Sequence, residues 1–177
     1  MSGLVRSSMP HLIVVPILLP MVAAAAMLLL GEGRRPLKVA MGMTSALLGL
    51  CVSCVLLVWT HEHGVVAYLP GNWPAPFGIA LAMDRLSAAM LVLAWVLGTA
   101  ALLFASSRWQ HAGDHFHPLL QLELMGLSGA FVTADVFNLF VFFEILLSAS
   151  YGLLLHGSGK ERIRASVRYV AVNLSDS

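Results

Sequence analysis

The sequence predicts an all-α integral membrane protein with about five transmembrane helices in a single domain over residues 1–177. Two observations support this prediction. Of the 177 residues, 59% are hydrophobic and only 11% are charged, and the mean hydropathy is +0.85, whereas soluble domains carry about 25% charged residues. The apolar residues also form continuous runs of membrane-spanning length rather than the alternating pattern of a membrane β-barrel. Together they exclude a disordered chain, a nucleic-acid binder and an ordinary cytosolic enzyme.

Five apolar runs are long enough to be membrane helices: residues 11–30, 39–59, 86–105, 118–134 and 136–156. The first run follows Arg6, as in a signal peptide, but it has the full thickness of a membrane, which favours a retained helix. Pro16 and Pro20 within it predict a bend. The first three runs contain no charged residue, while the fourth contains Glu123 and the fifth contains Glu144.

The positions of the basic residues predict the orientation. Cytoplasmic loops of membrane proteins carry an excess of Lys and Arg. With the amino terminus outside, only Arg6 and Arg85 of the ten basic residues lie outside. The others fall in the loops after the first and third runs and in residues 157–177, which we predict to be a basic cytoplasmic segment.

Glu144 is the first candidate for function, because it lies near the middle of the fifth run. A charged side chain at a helix centre costs about 2.5–3.5 kcal/mol on insertion. Ser148 and Tyr151 follow at helical spacing and share its face. Intramembrane carboxylates usually mark ion pathways, which favours a proton relay at Glu144 over the alternative of a structural glutamate hydrogen-bonded between helices.

Two further acids are weaker candidates. Glu123 lies nearer the cytoplasmic end of the fourth run, where it could reach the interface, and a structural role is favoured slightly over a relay. Asp135 lies beside Asn138 at the outer turn between the last two runs. Capping of the following helix is favoured there over a role in ion entry.

The other motifs favour structural explanations. The spacing of a histidine-rich segment fits no standard zinc site, and a polar cytoplasmic loop is favoured over a metal site at His111, Asp114, His115 and His117. Cys51 and Cys54, like Gly126 and Gly129, are predicted to be small helix-packing residues. No nucleophile–base set is evident, so we expect no enzyme site, no metal and no cofactor.

Three segments resemble a known family. They are GNWPAPFGI at residues 71–79 with DRLSA at 84–88, GAFVTADVFNLFVFFE at 129–144, and RYVAVNL at 168–174. All three are similar to the D subunit of Mrp-type (Sha or Pha) multi-subunit monovalent cation/proton antiporters, a family related to the antiporter-like subunits of respiratory complex I. The resemblance extends from the first run to the end of the chain.

The resemblance implies a helical bundle with inverted repeats and broken helices, and Glu144 matches the family's essential glutamate. It implies proton translocation through Glu144, coupled to Na⁺ or K⁺ movement, with other antiporter subunits as partners in a bacterial inner membrane. The family's partner lysine lies in a later helix, whereas Lys38 and Lys160 are predicted to lie in loops.

Family members are longer, so the chain is expected to be an amino-terminal portion that stops where a sixth helix begins. Two other functions remain open: a proton-pumping subunit of an NADH-quinone oxidoreductase, and a non-transporting fragment that packs against partner subunits.

Overall fold

Five α-helices run in alternating directions through the computed structural model, which describes residues 9–31, 33–70, 79–108 and 115–156. A 3₁₀ helix at Met9–Val14 leads into the first of them. The helices of this described part are α1 (Val15–Leu29), α2 (Arg35–His63), α3 (Arg85–Arg108), α4 (Phe116–Val132) and α5 (Val136–Leu155). The predicted all-α class and the predicted five helices are confirmed.

Four segments of the described residues are long and apolar enough to cross a membrane: His11–Leu29, Arg35–His63, Arg85–Ser106 and Val136–Leu155. The remaining helix, α4, has 17 residues and contains the polar residues Gln121, Glu123 and Ser128 within its length. It packs against each of the other four helices. This central position explains how a short polar helix is accommodated: its neighbours, rather than lipid, surround much of it.

The second helix is longer than its apolar run. It begins at Arg35 rather than at residue 39, so the prediction that Lys38 lies in a loop is wrong. Pro36 occupies the first turn of α2, where a missing N–H breaks no helical hydrogen bond. The helix ends at His63 because Gly64 adopts a positive φ of 76°. Hydropathy had located the lipid-facing part of this helix but not its polar first turn.

The prolines of α1 occupy different positions in the helix. Pro16 lies in the first turn of α1 and Pro20 lies inside the helix, and both are buried. A proline in a first turn requires no bend, so the predicted bend would have to come from Pro20, and it stays a prediction.

The connection between α2 and α3 contains a small sheet that the hydropathy pattern did not predict. Strands β1 (Val66–Tyr68) and β2 (Leu81–Met83) pair antiparallel, with Ala67 opposite Ala82. Ala134 N–H donates to the Ala80 carbonyl at 2.9 Å, and His11 Nδ1 lies 2.8 Å from the Tyr68 hydroxyl. Three-residue strands are too short to show a periodic pattern. We call this end of the bundle the sheet end.

The opposite end of the bundle is where α2 and α4 begin and α5 ends. We call it the basic end, because Arg34, Arg35, Lys38, His115, His117 and His156 lie there. Alternation of helix direction follows from the contacts at the sheet end, where α1 and α3 begin and α2 and α4 end.

Two apolar clusters form the interior. One lies near the sheet end and includes Ile13, Leu56, Met83, Leu91 and Phe142, and the other includes Ala46, Trp95, Leu102, Leu120 and Leu124. A Cβ at Gly49 would collide with the ring of Trp95, so α2 and α3 pack closely there.

The predicted packing role of the two cysteines is wrong. Cys51 and Cys54 are both exposed, free thiols. The buried face of α2 instead carries Gly49 and Ser53, and with about 100° between successive residues Cys51 turns away from that face. Small size alone did not identify the packing residues, because it does not say which face a residue occupies.

Candidate functional site

Three glycines hold the last two helices close together. A Cβ at Gly126 would lie 2.8 Å from Leu146 Cγ, one at Gly129 would collide with the Phe142 ring, and one at Gly152 would lie 2.7 Å from Leu119 Cδ2. These contacts run in opposite directions along the two helices, as an antiparallel pair requires. The prediction of close contacts at Gly126 and Gly129 is confirmed.

The turn between these helices is fixed by Asp135. Its carboxylate accepts hydrogen bonds from the backbone N–H groups of Phe137 and Asn138, each at 3.3 Å. The Asn138 side-chain amide donates to Thr133 Oγ1 at 3.2 Å. These bonds satisfy N–H groups that a helix start leaves free. The interpretation of Asp135 as the cap of the fifth helix is confirmed.

Glu144 lies on the exposed side of α5, at the wall of an open groove of about 610 Å³. The groove lies among α1, α4 and α5, and its lining is apolar apart from Glu144 and Ser148. The apolar lining is Met21, Leu119, Leu122, Met125, Phe140, Val141, Ile145 and Ala149. Sequence spacing therefore placed Ser148 correctly beside Glu144, while half-buried Tyr151 is not among the lining residues.

The surface around Glu144 is strongly apolar. Exposed side chains on α5 include Phe137, Phe140, Phe143 and Leu147. Only 17% of the membrane-spanning stretch of this helix is buried within the bundle. No described residue hydrogen-bonds Glu144. The alternative, a structural glutamate hydrogen-bonded between helices, therefore has no support from a hydrogen bond among the described residues. A carboxylate in such surroundings must hold a proton, meet a cation or reach water.

Glu123 lies on α4 between the residues that contact α5, at about the height of Ser148. It is half-buried, and its Oε2 is buried without a hydrogen-bond partner among the described residues. This oxygen therefore does not reach the surface of the described bundle, and the slightly favoured structural role of Glu123 stays a prediction. Burial by α4's neighbours was not visible in the sequence, because it depends on how the bundle assembles.

The histidine-rich segment is described only in part. His111 and Asp114 lie outside the described residues, His115 is exposed and His117 is buried. The described residues hold no group of three or more His, Cys, Asp or Glu side chains suited to a metal ion.

His117 instead belongs to a group of three buried basic side chains at the basic end, with Lys38 and His156. The Phe116 ring contacts both histidine rings, and the charge of Lys38 acts on His117. The sequence did not reveal this group because Lys38 and His156 are far from His117 in the chain.

No protein-family model matches the chain, but individual relatives do. It is 51% identical over 172 residues to a Rhizobium meliloti protein described as the probable D subunit of a K(+)/H(+) antiporter, a match that covers 94% of this chain and 32% of the relative. It is 38% identical to the D subunit of the Na(+)/H(+) antiporter of Alkalihalophilus pseudofirmus, over 94% of this chain and 34% of that protein. The chain thus spans about a third of the length of these relatives.

Solved structures show the same arrangement of helices. The Mrp complex from Dietzia sp. DQ12-45-1b matches with a TM-score of 0.78 and 27% identity, over 96% of this chain and 32% of the matched chain. The membrane-bound sulfane sulfur reductase, an archaeal respiratory membrane complex, matches with a TM-score of 0.82 and 25% identity, over 90% and 33%. The resemblance to antiporter D subunits is therefore confirmed, over the amino-terminal third of those subunits, and the chain is a multi-pass membrane protein.

Proposed function

We propose that this chain is the amino-terminal part of a D-type subunit in a monovalent cation/proton antiporter complex, and that Glu144 carries the proton. The observation that carries this proposal is the position of Glu144, a carboxylate exposed in an apolar groove on the outer face of α5. The similarity to the D subunits of a K(+)/H(+) and a Na(+)/H(+) antiporter supports the same reaction class.

The chemistry follows from the surroundings of Glu144. A proton neutralises the carboxylate in the apolar groove, and an approaching cation favours the release of that proton. Ser148 can hydrogen-bond the carboxyl group or a water beside it, since it lines the same groove. Tyr151 extends the polar face toward the basic end. The family resemblance implies that the cation is a lysine on a helix beyond α5.

The proposal includes a location and an orientation. We place the chain in a bacterial inner membrane with its amino terminus outside and its basic end in the cytoplasm, as the positive-inside rule requires. Other subunits of the antiporter would be its partners, and Na⁺ or K⁺ with H⁺ its cargo. Asp135 would then cap α5 at the outer surface, with no part in the relay.

A second candidate is a proton-pumping, antiporter-like subunit of a respiratory membrane complex such as an NADH-quinone oxidoreductase. The fold match to an archaeal respiratory complex favours it specifically. The two candidates differ in what drives the proton. In the antiporter, added Na⁺ or K⁺ collapses a pH gradient, whereas in the respiratory complex proton movement requires an electron donor.

The test uses everted vesicles that contain the complete complex with this chain. With wild-type chain, addition of Na⁺ or K⁺ should collapse a preformed pH gradient, and Glu144→Gln should abolish that response because an amide cannot carry the proton. Glu144→Asp should keep part of it. Asp135→Asn is the matched control, because it makes the same acid-to-amide change at the cap of α5 and keeps an acceptor oxygen there.

Full cation response in Glu144→Gln would refute the relay. A wild-type complex that assembles but shows no cation response would instead support one of the alternatives, and addition of an electron donor would then separate the respiratory subunit from a non-transporting fragment.

A further inference from the structure

A second open groove lies at the sheet end of the bundle, where α2 ends and α3 begins. Its volume is about 370 Å³, and sites for small molecules typically have about 300–1,000 Å³. Five side chains line it: Leu57, Val58, His61, Glu62 and Arg85. The groove thus combines an apolar part with an acid and a base, and the proposed proton relay uses none of these residues.

The charged part of the groove lies at the depth of lipid headgroups. Both α2 and α3 are long and apolar enough to cross a membrane, so the end of one and the start of the other lie at a membrane surface. Glu62 belongs to the last turn of α2, and Arg85 begins α3. Half-buried Trp59 lies one turn before the end of α2, and tryptophan is enriched at this boundary. Val58 lies about one turn deeper than Glu62.

Glu62 and Arg85 carry opposite charges in this groove, yet the described structure holds no ion pair between them. Arg85 Nη2 donates instead to the His61 carbonyl at 3.0 Å, one of the last carbonyls of α2, which no helical N–H reaches. Since arginine has five N–H donors, others remain for a ligand. Glu62 is exposed and has no hydrogen bond among the described residues. The nearby acid Asp84 already accepts from the Ser87 N–H at 2.6 Å.

An exposed apolar stripe leads from Glu62 toward the middle of the membrane. Val58, Val55 and Cys51 precede Glu62 by four, seven and eleven residues, a spacing that places them on one face of α2. All three are exposed. Eleven residues of helix extend about 16 Å, close to half of the hydrocarbon core, which is about 30 Å thick. The stripe therefore has the length that an acyl chain occupies in one leaflet.

We propose that this groove binds the headgroup of one phosphatidylethanolamine, a phospholipid with a primary ammonium group, whose acyl chain lies on the exposed stripe. Arg85 binds the phosphate, because a guanidinium donates charge-assisted hydrogen bonds to phosphate oxygens. Glu62 accepts a hydrogen bond from the ammonium group, the second charge of the same headgroup. The proposal requires only that α2 and α3 cross a membrane, so it does not depend on the proton relay at Glu144.

The two charges of the groove distinguish this headgroup from two other common ones. Phosphatidylglycerol offers a phosphate to Arg85 but no cation to Glu62. The ammonium group of phosphatidylcholine is quaternary, so it has no N–H to donate, and its methyl groups hold the positive charge away from the carboxylate. Only the primary ammonium group matches both the charge and the hydrogen-bond acceptor that Glu62 provides.

The first test measures the lipid preference of the full chain. Native mass spectra would be recorded after equilibration in detergent with equal amounts of phosphatidylethanolamine, phosphatidylcholine and phosphatidylglycerol that have the same acyl chains. We expect phosphatidylethanolamine to be retained most. Glu62→Gln should weaken its retention about two- to fivefold, the effect of an exposed ion pair, without weakening retention of the other two. Arg85→Gln should weaken retention of all three lipids.

Arg34→Gln is the control, because it removes an exposed charge at the other end of α2. It should keep the wild-type preference. Glu62→Gln decides the test even if Arg85→Gln does not fold, since Glu62 bonds no described residue and its variant should melt like the wild-type chain. Equal retention of the three lipids by the wild-type chain, or an unchanged preference in folded Glu62→Gln, would overturn the proposal.

The second test asks whether lipid occupies the groove in the complete complex. The lipids that co-purify with the complex would be counted for the wild-type chain and for Glu62→Gln. We expect the variant to lose one phosphatidylethanolamine for each copy of this chain. The same count in both complexes would show that protein rather than lipid covers the groove there, and would refute the proposal. Neither result changes the outcome expected for Glu144→Gln in vesicles.

Discussion

The ring of Phe142 on α5 occupies the space that a Cβ at Gly129 on α4 would need. This contact sets the rotation of α5 about its axis. Glu144 comes two residues after Phe142, which is about 200° further around the helix. Since Phe142 faces α4 and is buried, Glu144 faces away from it, toward the open groove. A glycine on a neighbouring helix thereby determines where the candidate proton carrier points.

Enlarging Gly129 should therefore destabilise the pair of helices. Gly129→Ala puts a methyl group into the Phe142 ring, and overpacking of this kind costs about 1–3 kcal/mol. We expect a lower melting temperature of the chain in detergent. Gly42→Ala is the matched control, because its methyl meets its neighbours at 3.6 Å. Equal melting temperatures for the two variants would contradict the close contact at Gly129.

Removing the cap of α5 should also lower stability. Asp135→Ala leaves the N–H groups of Phe137 and Asn138 without their acceptor, at a cost of about 0.5–2 kcal/mol. Asp135→Asn keeps an acceptor oxygen and should retain both stability and transport in vesicles. If Asp135→Asn melts normally but transports nothing, Asp135 carries an ion and is more than a cap.

The sequence predicted the helices better than it predicted their faces. Long apolar runs identify membrane-spanning helices because the hydrocarbon core of a bilayer is crossed by about 20 mostly apolar residues. The number of helices followed directly from the number of runs. The direction of Cys51 and Cys54 did not follow, since it depends on which side of α2 meets α3. Similarly, helical spacing grouped Ser148 with Glu144 but could not say that this face is open, because Gly129 and Phe142 settle that through a contact between two helices.

The group of three buried basic side chains, Lys38, His117 and His156, could also not be predicted from the sequence. Lys38 was predicted to lie in a loop because hydropathy measures affinity for lipid, whereas a helix continues wherever its backbone bonds are satisfied. His117 and His156 meet around Phe116 only when α5 folds back on α4. Both histidines are far from Lys38 in the chain, so spacing within any one helix could not group the three.

Acidification should weaken the start of α3. The Ser87 backbone N–H donates to Asp84 Oδ1 at 2.6 Å, and this bond, followed by one from the Ser87 side chain, lowers the pKa of Asp84. A carboxyl whose pKa is lower in the folded state stabilises the fold above its unfolded pKa, and that stabilisation disappears as the pH falls through the folded pKa.

The melting temperature should accordingly fall as the pH is lowered from about 6 to about 3, and part of that fall should vanish in Asp84→Asn. The asparagine still accepts the Ser87 N–H but does not titrate. Identical pH profiles for the wild-type chain and Asp84→Asn would show that Asp84 contributes nothing to acid sensitivity.

Replacing Glu123 should show whether this acid has a structural role or is a second proton carrier. Its Oε2 is buried without a partner among the described residues, and an apolar side chain of similar shape avoids that cost. We therefore expect Glu123→Met to melt at the same or a higher temperature than the wild-type chain and to keep cation-driven collapse of the pH gradient in vesicles. Glu144→Met, assayed in parallel, should lose that response. If Glu123→Met also loses it while melting normally, the Glu123 carboxylate carries protons as well, and the relay contains two acids.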